Sequence, residues 1–100
     1  MVEHTTEEIH AYAKWLTQAC QMAGLDAELH GHTVLIIAED HHLSEQVTCR
    51  PDESGALRWY WSWGKPIAHL RDTTRILTPD EVDDLVAAIK NVVSIPIRRR

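Results

Sequence analysis

The chain predicts an α+β domain in which an antiparallel four-stranded meander is flanked by an N-terminal and a C-terminal helix, in the order α-β-β-β-β-α. Three observations predict it. Apolar residues recur at helical spacing near both ends, short apolar or alternating runs occupy the middle, and clusters of Gly, Pro, Asp and Ser separate those runs. The length of 100 residues is enough for one such domain, 1–100, and 44% apolar with 25% charged residues is the balance of a globular chain with one core.

The first helix is expected from Thr5, which has capping-box spacing to Glu8, to near Gly24, a natural left-handed residue after a helix end. Ile9, Tyr12, Ala13, Leu16, Ala19, Cys20 and Ala23 form one apolar stripe, and His10, Lys14, Thr17, Gln18 and Gln21 form the polar face. Ala11, Trp15 and Met22 fit neither group. They make a second apolar shoulder, which calls for a second neighbour.

Leu25, Ala27 and Leu29 alternate with Asp26, Glu28 and His30 as a first strand, which Gly31 breaks. The second strand, Thr33 to Ala38, is apolar on both faces, with Val34, Ile36 and Ala38 on one side and Leu35 and Ile37 on the other. Glu39-Asp40-His41-His42 reads as a loop, Glu45 to Arg50 as a third strand with Val47 and Cys49 inward, and Pro51 to Gly55 as a turn. Leu57 to Trp63 is the expected fourth strand, closed by Gly64-Lys65-Pro66. Alternation would stand Trp59, Trp61 and Trp63 on one face and Arg58, Tyr60 and Ser62 on the other. The second helix carries its own start signals: Thr78 as N-cap, Pro79 at the first position, Glu81 for the box, and Leu77 with Val82 as a hydrophobic staple. Val82, Leu85, Val86, Ile89, Val92 and Val93 form its core stripe, and Ser94-Ile95-Pro96 should end it.

The segment Leu57 to Ile67, following Cys49-Arg50-Pro51-Asp52-Glu53, resembles a pattern in small, uncharacterised actinobacterial proteins that carry an aromatic strand ending in Trp-Ser-Trp-Gly-x-Pro. The resemblance covers the middle of the chain. It implies a bacterial cytoplasmic setting and no catalytic residue.

A net charge of -5 argues against broad binding to nucleic-acid phosphates, which needs a basic surface that releases counterions. The one basic run, Arg98-Arg99-Arg100, reads as a solvated end. Cys20 and Cys49 have no CxxC or zinc-type spacing, and neither a signal peptide nor a run of ~20 apolar residues is present, so the expectation is a reduced, cytoplasmic protein with no membrane association.

Chemistry-bearing candidates are few. His30 and His32, with His41 and His42 one hairpin away, supply the residue types of a Zn, Cu or Ni site. Cys49 with His30 or His32, and Asp40 with His41, are nucleophile and base pairs on paper, without a Gly-rich phosphate loop, a nucleophile elbow or an HExxH motif beside them. The reading with most support is a non-enzymatic interaction domain without a cofactor, acting on a protein partner or a second copy through Trp15, Met22, Trp59, Trp61 and Trp63, with Arg58 and Tyr60 as the alternative contact set. The alternatives are a small-ligand protein, with the three tryptophans lining an apolar pocket roofed by Tyr12 and Trp15, and a His-based metal-binding protein.

Overall fold

The computed structural model describes residues 6–37 and 44–94. Its elements are α1 (Thr6–Met22), β1 (Asp26–His30), β2 (Thr33–Ile37), β3 (Ser44–Pro51), β4 (Leu57–Trp61), β5 (Ala68–His69), β6 (Asp72–Ile76) and α2 (Val82–Ser94). β1 to β4 form the expected antiparallel meander, and β5 and β6 add a separate two-stranded sheet that the sequence pattern does not announce.

Thr5 lies outside the described residues. At its other end α1 closes with a Schellman motif. The Gly24 N–H donates to Gln21 O (3.1 Å) and Leu25 N–H to Cys20 O (3.0 Å), while Gly24 takes the positive φ of 92° that this motif demands. Leu25 and Cys20 are both buried, which supplies the apolar contact that accompanies it. One residue of the expected polar face is corrected: Thr17 is buried. Its position beside Ala13 puts it on the flank that meets β1, where the Gln21 side chain donates to Ala27 O at 3.0 Å. The Thr17 hydroxyl is satisfied there by donating to Ala13 O at 2.8 Å.

The registers put Ala27, Ile36 and Glu45 on one face of the sheet with Leu29, Val34, Val47, Trp61, Cys49, Trp59 and Leu57. Both helices cover that face, α1 lying on β1, β2 and β3 and α2 on α1, β3 and β5. Between these layers sits one core, with Leu16, Val34, Ile36, Val47, Trp59, Leu85 and Ile89 fully enclosed. The opposite face carries Leu35 and Ile37, half-buried, among Thr33, Thr48, Gln46, Arg50, Arg58 and Tyr60. Its polar groups pair within the chain: Thr33 and Thr48 share a hydrogen bond (2.9 Å), and the Arg50 guanidinium lies 3.8 Å from the centre of the Tyr60 ring.

The fourth strand is shorter than expected. It ends at Trp61, because the Glu45 carboxylate accepts both the Ser62 N–H (3.1 Å) and the Ser62 hydroxyl (2.9 Å) where a sixth ladder pair with β3 would form. The chain then reverses: Gly64 N–H donates to Trp61 O (2.9 Å), Trp61 N–H to Lys65 O (2.8 Å) and Ile67 N–H to Trp59 O (2.8 Å). Residues 65–67 therefore run back along the open edge of β4, which removes an exposed sheet edge. Gly64 holds φ at 94° in this reversal, a value that an L side chain rarely adopts.

The second helix starts later than its signals suggest. Thr78 to Glu81 form a turn, with Glu81 N–H bonded to Thr78 O (3.1 Å), and Glu81 O receives the first helical bond from Leu85 N–H (3.0 Å). Half of the box is present, since Thr78 N–H donates to Glu81 Oε1 (2.8 Å), but the Thr78 hydroxyl donates to the Asp80 and Glu81 carboxylates instead of accepting. Arg75 adds a salt bridge to Glu81. The core stripe is as the spacing predicts for Val82, Leu85, Val86, Ile89 and Val93, which are buried, whereas Val92 is only partly covered and lies outside the core. Among the described residues no helix is long and apolar enough to cross a membrane.

Candidate functional site

The tight turn after β4 is the most unusual surface feature. Trp61 points to the inner face and packs on the margin of the core, while Trp63 stands at the tip of the reversal and is 55% exposed. The two indoles lie parallel, with centroids 5.0 Å apart and planes 5° from one another. Such a stack contributes roughly 0.5–1.5 kcal/mol beyond area burial, which favours this pose of the exposed ring about two- to tenfold over unstacked ones.

This stack forms one wall of a cleft of about 560 Å³. Pro66 and Lys65 continue that wall, Ala68, His69, Leu70, Thr73 and Ile76 of the β5–β6 hairpin form a second, and Ala88, Asn91 and Val92 of α2 form the third. The hairpin is tied down at its base by Leu77 N–H to Ile67 O (3.0 Å) and at its tip by Arg71 N–H to His69 Nδ1 (3.1 Å). Accepting at Nδ1 places the imidazole proton on Nε2, which faces Asp84 Oδ1 at 3.8 Å. No carboxylate lines the cleft among the described residues, and Lys65 is the one ammonium there.

A second, smaller depression of about 350 Å³ lies between α1 and the start of α2, bounded by Trp15, Gln18, Ala19, Met22, Asp80, Val82 and Asp83. Trp15 is 47% and Met22 89% exposed, so the second shoulder of α1 faces this depression and solvent.

The structure thus separates the aromatic residues that the strand pattern groups together. Trp59 is fully enclosed, and of the three strand tryptophans it is the core residue, unreachable from outside. Trp63 is not on the strand at all. Tyr12 lies on a different depression with Arg58, Leu57 and Pro79, and neither it nor Trp15 roofs the Trp61–Trp63 cleft. Arg58 and Tyr60 do share the opposite strand face, but Arg58 faces Asp52 (3.6 Å) and Tyr60 is buried beneath Arg50.

No known protein family, curated protein or solved structure matches this chain significantly. The chemistry of the site therefore rests on its own residues. Among the metal candidates, His41 and His42 lie outside the described residues, as does Asp40, while His30 bonds to Glu28 (3.1 Å) on the exposed edge strand and His32 sits in the β1–β2 turn. Among the described residues no three His, Cys, Asp or Glu side chains converge as metal ligands. Both cysteines are free and buried. Burial pushes the Cys20 thiol up to about 11, and burial together with the Glu8 carboxylate pushes Cys49 up to about 12, so both stay protonated and unreactive at neutral pH.

Proposed function

We propose that this chain is a non-enzymatic, cytoplasmic interaction domain that acts through protein–protein contacts, and that it self-associates through the surface around Trp61 and Trp63. One observation carries the reading: Trp63 stacks on Trp61 yet is exposed over half its surface at the rim of a cleft lined by both apolar and polar side chains. Tryptophan is enriched among residues that dominate binding energy, and a side chain already biased toward one pose loses less entropy when a partner covers it. The buried, protonated thiols speak against nucleophilic catalysis, and two unpaired cysteines suit a reducing compartment. Sedimentation equilibrium tests the proposal: the wild type should show a mass above the monomer at micromolar concentration, and Trp63→Ala should return it to monomer. A wild-type monomer at every concentration refutes self-association.

A second reading, capture of a small apolar ligand, is supported by the cleft volume of about 560 Å³, which falls within the roughly 300–1,000 Å³ typical of small-molecule sites. A neutral naphthylamine dye separates the two. Its fluorescence should rise on binding and be lost with Trp63→Ala if the cleft takes small molecules, and stay flat if the cleft serves only a protein contact.

A further inference from the structure

We infer that His69 is a proton-sensitive latch on the β5–β6 hairpin: the neutral imidazole closes the turn by accepting from the Arg71 N–H, and protonation releases that amide and frees Leu70 at the cleft wall. The inference stands apart from the association proposed above, since it concerns a wall of the cleft and not what fills it.

Three side chains of this fold accept from the backbone N–H two residues on, a local bond that fixes a turn. Asp52 accepts from Ser54 (2.8 Å), Asp72 from Thr74 (3.2 Å) and His69 from Arg71 (3.1 Å). The first two acceptors are carboxylates that the Ser54 and Thr74 groups hold below the ordinary carboxylate range, so they stay acceptors into acid. The third is an imidazole, and histidine is the side chain whose charge changes between about pH 5 and 8. An imidazolium carries a proton on each ring nitrogen. Nδ1 then turns from acceptor to donor and cannot stay against the Arg71 N–H.

The side chain of His69 is 27% exposed, so solvent protons reach it. Charged groups face the ring from three sides among the described residues. On α2, Asp84 Oδ1 lies 3.8 Å from Nε2. On β6, Asp72 is paired with His69 across the hairpin, and its carboxyl feels the charge of the ring. Both favour the imidazolium. Against it stand Arg71 in the turn, Lys65 in the cleft lining, and Arg75, whose guanidinium is engaged by Glu81. Protonation therefore exchanges a bond inside the turn for attraction toward carboxylates outside it. Leu70 and Arg71 are the two residues that join β5 to β6, and the ladder before them is already irregular at Ala68 and His69. Leu70 lines the cleft, is 44% exposed and lies outside the core, so the closed turn is what positions it.

Nuclear magnetic resonance of the isotope-labelled full chain tests this between pH 8 and 5. The His69 ring signals are identified by their loss in His69→Asn. At pH 8 the ring nitrogens should show a proton on Nε2 and none on Nδ1. As the ring is protonated, the Arg71 amide should lose its hydrogen-bonded shift and the Leu70 methyls should move, all with the midpoint of the His69 ring, while the Ser54 amide stays fixed. His69→Asn keeps an acceptor for the amide two residues on but cannot be protonated there. In that variant the Arg71 and Leu70 signals should hold still over the same range. Asp84→Asn should move the wild-type midpoint to lower pH at low salt, because the charged ring loses a carboxylate. A proton on Nδ1 at pH 8 overturns the latch. So does an Arg71 amide that stays put while His69 titrates, or one that still moves in His69→Asn.

Discussion

Replacing each strand tryptophan in turn by alanine should produce a graded loss of stability, and the gradient follows from burial. Trp59 is completely enclosed between the sheet and the helices, so Trp59→Ala removes a whole indole and leaves a cavity that its neighbours, themselves fully packed, cannot fill. Large-to-small changes of this kind cost about 3–5 kcal/mol, a large share of the roughly 5–15 kcal/mol that a domain has in total. Trp63 is 45% covered, as the complement of its 55% exposure. With about 200 Å² for an indole side chain, some 90 Å² is out of water, worth at most about 2 kcal/mol at ~25 cal/mol per Å². Trp61 should fall between the two. A urea melt followed by circular dichroism, which does not depend on the residues removed, measures this directly. With a slope of about 1–2 kcal/mol per molar urea for a small chain, Trp59→Ala should lower the midpoint by about 1.5–5 M and Trp63→Ala by about 2 M or less, the smaller shift at any one slope. Equal midpoints for all three variants would refute the assignment of Trp59 to the core and Trp63 to the surface.

Further outcomes follow from the side chains described. Asp52, Asp72 and Glu81 are held below the ordinary carboxylate range, chiefly by hydrogen bonds from Ser54 to Asp52, from Thr74 to Asp72, and from the Thr78 backbone to Glu81. Unfolding therefore takes up protons in acid, so their contribution is complete above the unfolded carboxyl range near about pH 4 and is lost as pH falls through their lower folded values; thermal melts from neutral to acid pH should show this, with a shallower acid limb in Asp52→Asn. The thiols of Cys20 and Cys49 should resist a disulfide reagent in the native protein at mildly alkaline pH and react once urea unfolds it, and fast native labelling would contradict their burial. Glu45→Ala should loosen the turn after β4, because it strips the acceptor from Ser62; faster amide exchange at 62–65 with little change at 47–49 is the expected pattern.

Much of this fold is legible in the sequence. The periodicity of Ile9 to Ala23 and of Val82 to Val93 reports burial directly, and Gly24 marks the end of α1 because the Schellman motif needs its positive φ. What the sequence hides is structure made by hydrogen bonds without a matching apolar pattern. β6 is polar and exposed along Asp72 to Arg75, held to β5 by its ladder, so no alternation signals it. The end of β4 is set by a side chain seventeen positions upstream, Glu45 on Ser62, and local pattern alone extends the strand to Trp63. For the same reason the candidate site was half visible: Trp61 and Trp63 stand out as residues, but the hairpin and the flank of α2 that complete their cleft come together only in three dimensions.

Four tryptophans in one chain permit a direct view of the central claim, that the surface at Trp63 is where this protein meets its partner. With 5-fluorotryptophan incorporated and each fluorine resonance assigned by single replacement, spectra are recorded over a dilution series spanning the association. The Trp63 resonance should shift or broaden as concentration rises, while enclosed Trp59 stays fixed. A Trp63 signal that stays unchanged while the mass of the particle grows would place the contact elsewhere and contradict the account.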